Sequence, residues 1–244
     1  PINDLFETKP IAQEHEDNLM LWHIKLGHLP FKRLQSMAKK GDLPKPLAKC
    51  TPPICQACLY GKATRIPWKV KGTFNHIQPT TKPGKCVSID QMESSSPGII
   101  AQLMDIPTIK KNKHVTILVD NYTRYTFCYL QQSTSSAETL QAKHEFEALA
   151  SRMGIQICNY HADNGRFADT AFINDTKRNN QSITYCGVHA HFQNGIAEKR
   201  IRDLQERART MIIHAKQRWP EAINAALWPY ALRLACDIDN CTPK

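Results

Sequence analysis

Two sets of side chains in this sequence have the types and spacing to do chemistry. The first lies in LWHIKLGH and CQAC. His23 and His28 have four residues between them, and Cys55 and Cys58 have two. Zn²⁺ takes four nitrogen and sulfur ligands in a tetrahedron, and a Cys-x-x-Cys turn offers two thiolates to one ion. The histidine pair precedes the cysteine pair, the reverse of the common nucleic-acid finger. On an ideal helix His23 and His28 would lie about 140° apart, so Gly27 is expected to end or bend the helix and turn both rings inward. A lone CxxC equally suits a redox pair or two core thiols; the added histidines favour zinc. Cys50 is a rival ligand.

The second set is acidic. Asp90 closes the apolar run VSID, Asp163 closes IQICNYHAD, and Glu198 sits in the first turns of a helix opened by NGIAEKR. A helix dipole alone welcomes an acid at that place. If the two strands are sheet neighbours, their ends bring two carboxylates together, and a helix packed across the sheet delivers the third. Three such groups repel one another. With Mg²⁺ or Mn²⁺ they form an oxygen cage that clamps a phosphodiester between two ions roughly 3.5–4 Å apart. Asp120, in VDNYTR, is the competitor of Asp90 and reads as a turn residue.

The elements that must position these groups follow from patterning. Residues 1–20 read as a polar lead-in, 21–72 as a small zinc-binding module, 73–85 as a linker rich in Thr, Pro and Gly, and 86–244 as an α/β core. A module of about 50 residues has too little core to stand unaided, so the metal would supply folding energy. In the core, VSID is a strand and residues 92–113 a long loop. HVTILVD and YTFCYL are strands joined by a tight turn. A helix starts at Ser135 with a capping box to Glu138 and stops at Gly154. IQICNYHAD is a fourth strand, a polar helix runs to about Asn180, and SITYC is a fifth strand. Helices from about Gly195 to His214 and from Pro220 to Asn240 follow. This order predicts a mixed five-stranded sheet with flanking helices. On the first of those helices Glu198, Arg202, Gln205 and Arg209 share a polar stripe beside an apolar one of Ile201, Leu204, Ala208 and Ile212. Lys199, Arg200 and Arg207 are expected to point to solvent or distant DNA.

Charge is unevenly spread: residues 1–85 hold 14 lysines and arginines against 6 acids, carrying +8 of the net +10. Between Leu43 and Ile89 there is no acid. Lys62, Arg65, Lys69 and Lys71, around Trp68, read as a phosphate-backbone contact or as a solvated basic linker. The nine cysteines are odd in number, and six of them (Cys86, Cys128, Cys158, Cys186, Cys236 and Cys241) are scattered through apolar segments, which fits a reducing compartment. No run approaches the roughly 18 apolar residues of a membrane span, and no signal peptide opens the chain. The missing initial Met suggests a piece of a longer precursor or a trimmed chain.

Taken together, LWHIKLGH with CQACLYGKATRIPW, then SID, VDNYTRYTFCYL, ADNG, QNGIAEKRIRDL and LWPYALRLACDIDNCTP, resemble in order the blocks of copia-type retrotransposon integrases. The resemblance implies a ribonuclease H-like core preceded by a small helical zinc-binding module. It implies a metal-dependent polynucleotidyl transferase that trims element DNA ends and joins their 3′-hydroxyls to target DNA. Asp90, Asp163 and Glu198 would be the catalytic triad, holding two Mg²⁺ or Mn²⁺ ions, and His23, His28, Cys55 and Cys58 would hold one Zn²⁺. Gln193, Asn194 and Gly195 would lie on a DNA-touching loop. The implied partners are element and target DNA, further copies of the chain, and the rest of a polyprotein. The implied location is nuclear, after a cytoplasmic particle stage, with no membrane. Asp163 and Glu198 have 34 residues between them, one fewer than the family's spacing, and Ala162 replaces the usual Ser. A reading from another class is a non-catalytic DNA-binding or assembly protein, which the shortened spacing favours.

Overall fold

The computed structural model describes residues 11–62, 80–100, 110–163, 165–186 and 194–243. An amino-terminal module contains helices α1 (Ile11–Lys25), α2 (Phe31–Lys40) and α3 (Gln56–Gly61). Helix α1 begins well before Leu21, and its Leu19 is fully buried, so part of the stretch read as a polar lead-in belongs to the module's packing. Among the described residues, Leu19, Leu29, Leu34, Ala38, Leu43 and Leu47 form its buried apolar cluster. Helix α2 ends as its sequence demands: Gly41 adopts φ 94°, and its N–H reaches back to the last turn.

The core holds β1 (Val87–Ile99), β2 (Lys111–Asp120), β3 (Thr126–Gln131), α4 (Ser136–Arg152), β4 (Asn159–Ala162), α5 (Thr170–Arg178), β5 (Ser182–Tyr185), α6 (Gly195–Arg218) and α7 (Trp228–Cys241). The strands form one five-stranded sheet in the order β3-β2-β1-β4-β5. The β1–β2 and β2–β3 pairs are antiparallel, while β1–β4 and β4–β5 are parallel. This is the ribonuclease H-like arrangement that the resemblance implied. Side chains alternate across β2. Val115, Ile117 and Val119 pack with Leu204, Ala208, Trp228 and Leu232 of α6 and α7. Leu118 packs on the opposite face with Val87, Ile89, Phe146, Tyr160, Phe167 and Phe172. No helix among the described residues is long and apolar enough to cross a membrane.

Several boundaries differ from the sequence reading. Strand β1 continues well past VSID, with a register break between Glu93 and Gly98. A tertiary clamp holds the extension: Trp228 Nε1 donates to the Ser96 carbonyl at 2.8 Å, and a Cβ on Gly98 would come within 2.3 Å of Pro229 Cγ. Strand β4 is short, because the backbone before it is occupied elsewhere; Cys158 N–H donates to the Gly84 carbonyl. Helix α6 runs to Arg218, and α7 starts only at Trp228 after a short turn capped by Asn224. The capping box of α4 is half made. Ser135 Oγ accepts from Glu138 N–H, but the Glu138 carboxylate turns to Gln132 N–H and Ser133 Oγ. Asp120 behaves as the turn residue expected, accepting from Gly84 N–H, Thr123 N–H and Thr123 Oγ1.

A buried cation ties α4 and α5 to the sheet. Lys143 is fully buried, with Nζ 2.6 Å from Asp175 and 2.9 Å from Glu147. Glu147 also accepts from Tyr160 Oη and Gln181 Nε2. Burial alone would raise the Asp175 pKa, but hydrogen bonds from Lys143 and His144 bring it below its ordinary 3.8. Removing one partner of a buried pair strands the other charge. Asp175→Ala is therefore expected to cost about 3 kcal/mol at pH 7 in urea titrations. Because the folded pKa is lowered, this contribution is full above the unfolded value and fades as pH falls through the folded one. The gap between wild type and variant should narrow in acid. A gap independent of pH would show that the charge is not what Asp175 contributes.

Candidate metal centres

The first centre is built where α1 ends. Gly27 and His28 both take left-handed backbone, φ 57° and 59°, which folds the chain back after Lys25. Both rings turn inward toward the start of α3, where Cys55 and Cys58 stand. His23 Nδ1 lies 2.7 Å from the Leu29 carbonyl, so that nitrogen carries the proton and leaves Nε2 as a lone pair. His23 Nε2 is 3.3 Å from Cys58 Sγ and 3.1 Å from His28 Nδ1, and His28 Nδ1 is 3.4 Å from Cys55 Sγ. The four potential ligand atoms all lie within 4.8 Å of one another. Zinc bonds of about 2.0–2.3 Å place tetrahedral ligands roughly 3.3–3.8 Å apart, so the residues present fit that ion. Cys50 is outside the group, and its thiol points to the Leu47 carbonyl.

Electrostatics suit a metal better than free titration. Burial, with the nearby His23, His214 and Lys62, lowers the His28 pKa to about 3, and burial likewise lowers His23. Both rings are thus neutral at physiological pH, as ligands must be. Burial pushes the Cys58 thiol up to about 11, so a bound cation is what would make it a thiolate.

The second centre is assembled by sheet pairing. In the parallel β1–β4 ladder Val87 faces Tyr160 and Ser88 faces His161. Two steps further, that register sets Asp90 beside Asp163. Asn194, buried just before α6, donates from Nδ2 to the Ile89 carbonyl at 3.0 Å, tying the start of the helix to the residue before Asp90. Glu198 follows on the first turn. The Cys186 thiol, buried just after β5, reports the convergence: burial raises its pKa first, then the negative charges of Asp163, Glu198 and Asp90. Asp163 Oδ1 also accepts from Gly165 N–H, and Asp90 Oδ1 from Gln91 N–H. Asp90, Asp163 and Glu198 are each half-buried, and carboxylates of this kind suit hard divalent cations.

The expected nucleic-acid contacts fare unevenly. Arg202 is exposed on α6 and Gly195 is half-buried at its start. Arg209 is exposed but donates to the Gly61 carbonyl at 3.4 Å, and Lys62 Nζ donates to the His28 carbonyl at 3.3 Å. Asn194 was expected on a DNA-touching loop; it is instead buried as the tie just described. Gln193, Arg65, Lys69, Lys71 and Trp68 lie outside the described residues. Arg200 and Arg207 do not face solvent as expected. Both turn to the buried Asp239 of α7, which Arg33 of α2 also approaches at 3.6 Å. Sequence reasoning missed Arg166. Its guanidinium donates to Gln91 Oε1 on the rim beside Asp90, and its place three residues after Asp163 in ADNGR was the available signal.

With both candidate centres in view, the chain can be set beside known proteins, and it is similar to retroelement Pol sequences. Residues 2–63 match the GAG-pre-integrase domain. The chain is 26% identical over 237 residues, 96% of its length, to the retrovirus-related Pol polyprotein from transposon TNT 1-94 of Nicotiana tabacum. It is 26% identical over 227 residues, 91% of its length, to the Pol polyprotein from transposon RE2 of Arabidopsis thaliana. It spans only 16% and 14% of those two polyproteins. Among solved structures, the HTLV-2 integrase catalytic core domain in complex with magnesium is similar with TM-score 0.43 and 13% identity, covering 63% of this chain and 83% of that one.

The module is seated closely on α6. A Cβ on Gly61 would lie 2.8 Å from Thr210 Cα, a backbone atom that cannot rotate away. Gly61→Ala is therefore expected to lift the module off the helix at a cost of about 1–3 kcal/mol. Thermal melts should then show an early transition of the module ahead of the core. A single unchanged transition would mean that this contact does not hold the module.

Proposed function

We propose that this chain is the zinc module and catalytic core of a retrotransposon integrase, a metal-dependent polynucleotidyl transferase that joins the 3′ ends of element DNA to target DNA. The observation that carries the reading is the β1–β4 pairing, whose register sets Asp90 within β1 beside Asp163 just past β4, with Asn194 tying the start of the Glu198 helix to the Ile89 carbonyl. Two Mg²⁺ or Mn²⁺ ions held there would activate the attacking oxygen and stabilise the leaving one. By the resemblance, Asp90 would bind both ions, while Asp163 and Glu198 would each bind one. The Asn194 side-chain amide, donating to the Ile89 carbonyl, would hold the start of α6, and so Glu198, in register with Asp90. Arg202 and Arg166, exposed near the acids, would meet the phosphates of the incoming strands.

Within this reading His23, His28, Cys55 and Cys58 hold one structural Zn²⁺. The chain acts as a segment of a larger polyprotein, and further copies assemble with it on DNA. Its site of action is the nucleus, following a particle stage in the cytoplasm.

Joining assays with a duplex carrying the element's own ends, Mn²⁺ or Mg²⁺, and target DNA test the proposal. Glu198→Gln is expected to reduce joining by about a hundredfold or more, while DNA affinity stays near the wild-type value. Equal joining by the variant would remove Glu198 from the site. Wild-type binding without any joining would favour the assembly-protein reading.

A further inference from the structure

His214 lies on α6 about 24 Å along the helix from Glu198, at a rise of 1.5 Å per residue. Its Nδ1 is 3.2 Å from His28 Nε2, and the two rings meet edge to face at 87°. His28 has no freedom in how it uses its other nitrogen. Nδ1 faces Cys55 Sγ at 3.4 Å and Cys58 Sγ at 3.6 Å. A neutral imidazole that offers Nδ1 as a lone pair carries its proton on Nε2. That N–H then donates to His214 Nδ1.

The arrangement repeats on the other ring. His23 donates from Nδ1 to the Leu29 carbonyl and keeps Nε2 toward Cys58. Metal-bound histidines almost always hand their second N–H to such an acceptor, which fixes the tautomer and raises the basicity of the ligating nitrogen. The two acceptors differ in origin. Leu29 belongs to the module itself, whereas His214 belongs to the helix that carries Glu198. Gly27, in left-handed backbone at φ 57°, brings the chain against Ile238 and Met211 beside His214, where an added Cβ would fall 2.6 Å from Ile238 Cδ1.

We propose that His214 is a positioning residue of the zinc centre, supplied by the catalytic core. Binding of Zn²⁺ and seating of the module on α6 are then a single coupled event. The inference rests on the zinc reading of His23, His28, Cys55 and Cys58.

The test uses the whole chain, loaded with Zn²⁺ or Co²⁺. His214→Phe keeps a ring for packing and removes the acceptor; His214→Gln keeps an acceptor on a shorter stem. Competition against a chromophoric chelator should show zinc affinity about 10–100-fold weaker in His214→Phe. His214→Gln should recover most of that loss. The ligand-field spectrum of the Co²⁺ form should shift in the Phe variant and return toward wild type in the Gln variant. Amide hydrogen exchange across the last turns of α6 should slow when zinc is added to wild type, and slow less in the Phe variant. Wild-type zinc affinity together with an unchanged cobalt spectrum in His214→Phe overturns the coupling. A wild-type chain that takes up no zinc instead overturns the zinc reading itself, so the two failures are distinguishable.

Discussion

Helix α6 cannot move without disturbing both centres at once. Its first turn is fixed to β1 by Asn194 on the Ile89 carbonyl, and Leu204 and Ala208 seat its middle on the sheet. On its other side Thr210 leaves no room for more than a glycine at position 61, and His214 meets His28. One rigid element of 24 residues therefore carries a carboxylate for one centre and an imidazole contact for the other. The sheet and the module are held at a set distance by the length of that helix rather than by a direct contact between the two sites.

Charge follows the same economy of parts. Asp239 is buried, yet three guanidinium groups surround it, from Arg33 on α2 and from Arg200 and Arg207 on α6. A buried carboxylate stays ionised only with partners of this kind. The cluster lies where module, α6 and α7 meet, so these arginines are engaged internally. What remains outward on α6 is a narrower set, led by Arg202.

How much of this was legible depended on the range of the information. The residue types at His23, His28, Cys55 and Cys58, Asp163 just past β4 and Glu198 at a helix start are carried by local spacing, whereas Asp90, read as a strand end, lies inside the longer β1. Local spacing also carried the bend at Gly27, because two histidines five apart need one. The errors all involved partners far along the chain. Asn194 looked like a loop amide because its acceptor is 105 residues away. Arg200 and Arg207 looked free because Asp239 lies on the next helix. The extension of β1 through serines and a proline depends on Trp228, which no local propensity encodes. His214, a lone histidine in a basic helix, carried no signal at all.

The clamp between the two ends of the described chain has a consequence for how the protein comes into being. The zinc quartet closes over at most 35 positions, His23 to Cys58, whereas Arg33 reaches carbonyls of Thr242 and Pro243 across separations of 209 and 210. Contacts of that span form late, because the loop they close must first exist. During synthesis the four side chains can come together before α6 and α7 emerge from the ribosome, whereas the contact of His28 with His214 must wait for α6. The early product is then a small helical body without its seat, and its contacts with α6 and α7 close only after both helices have been made.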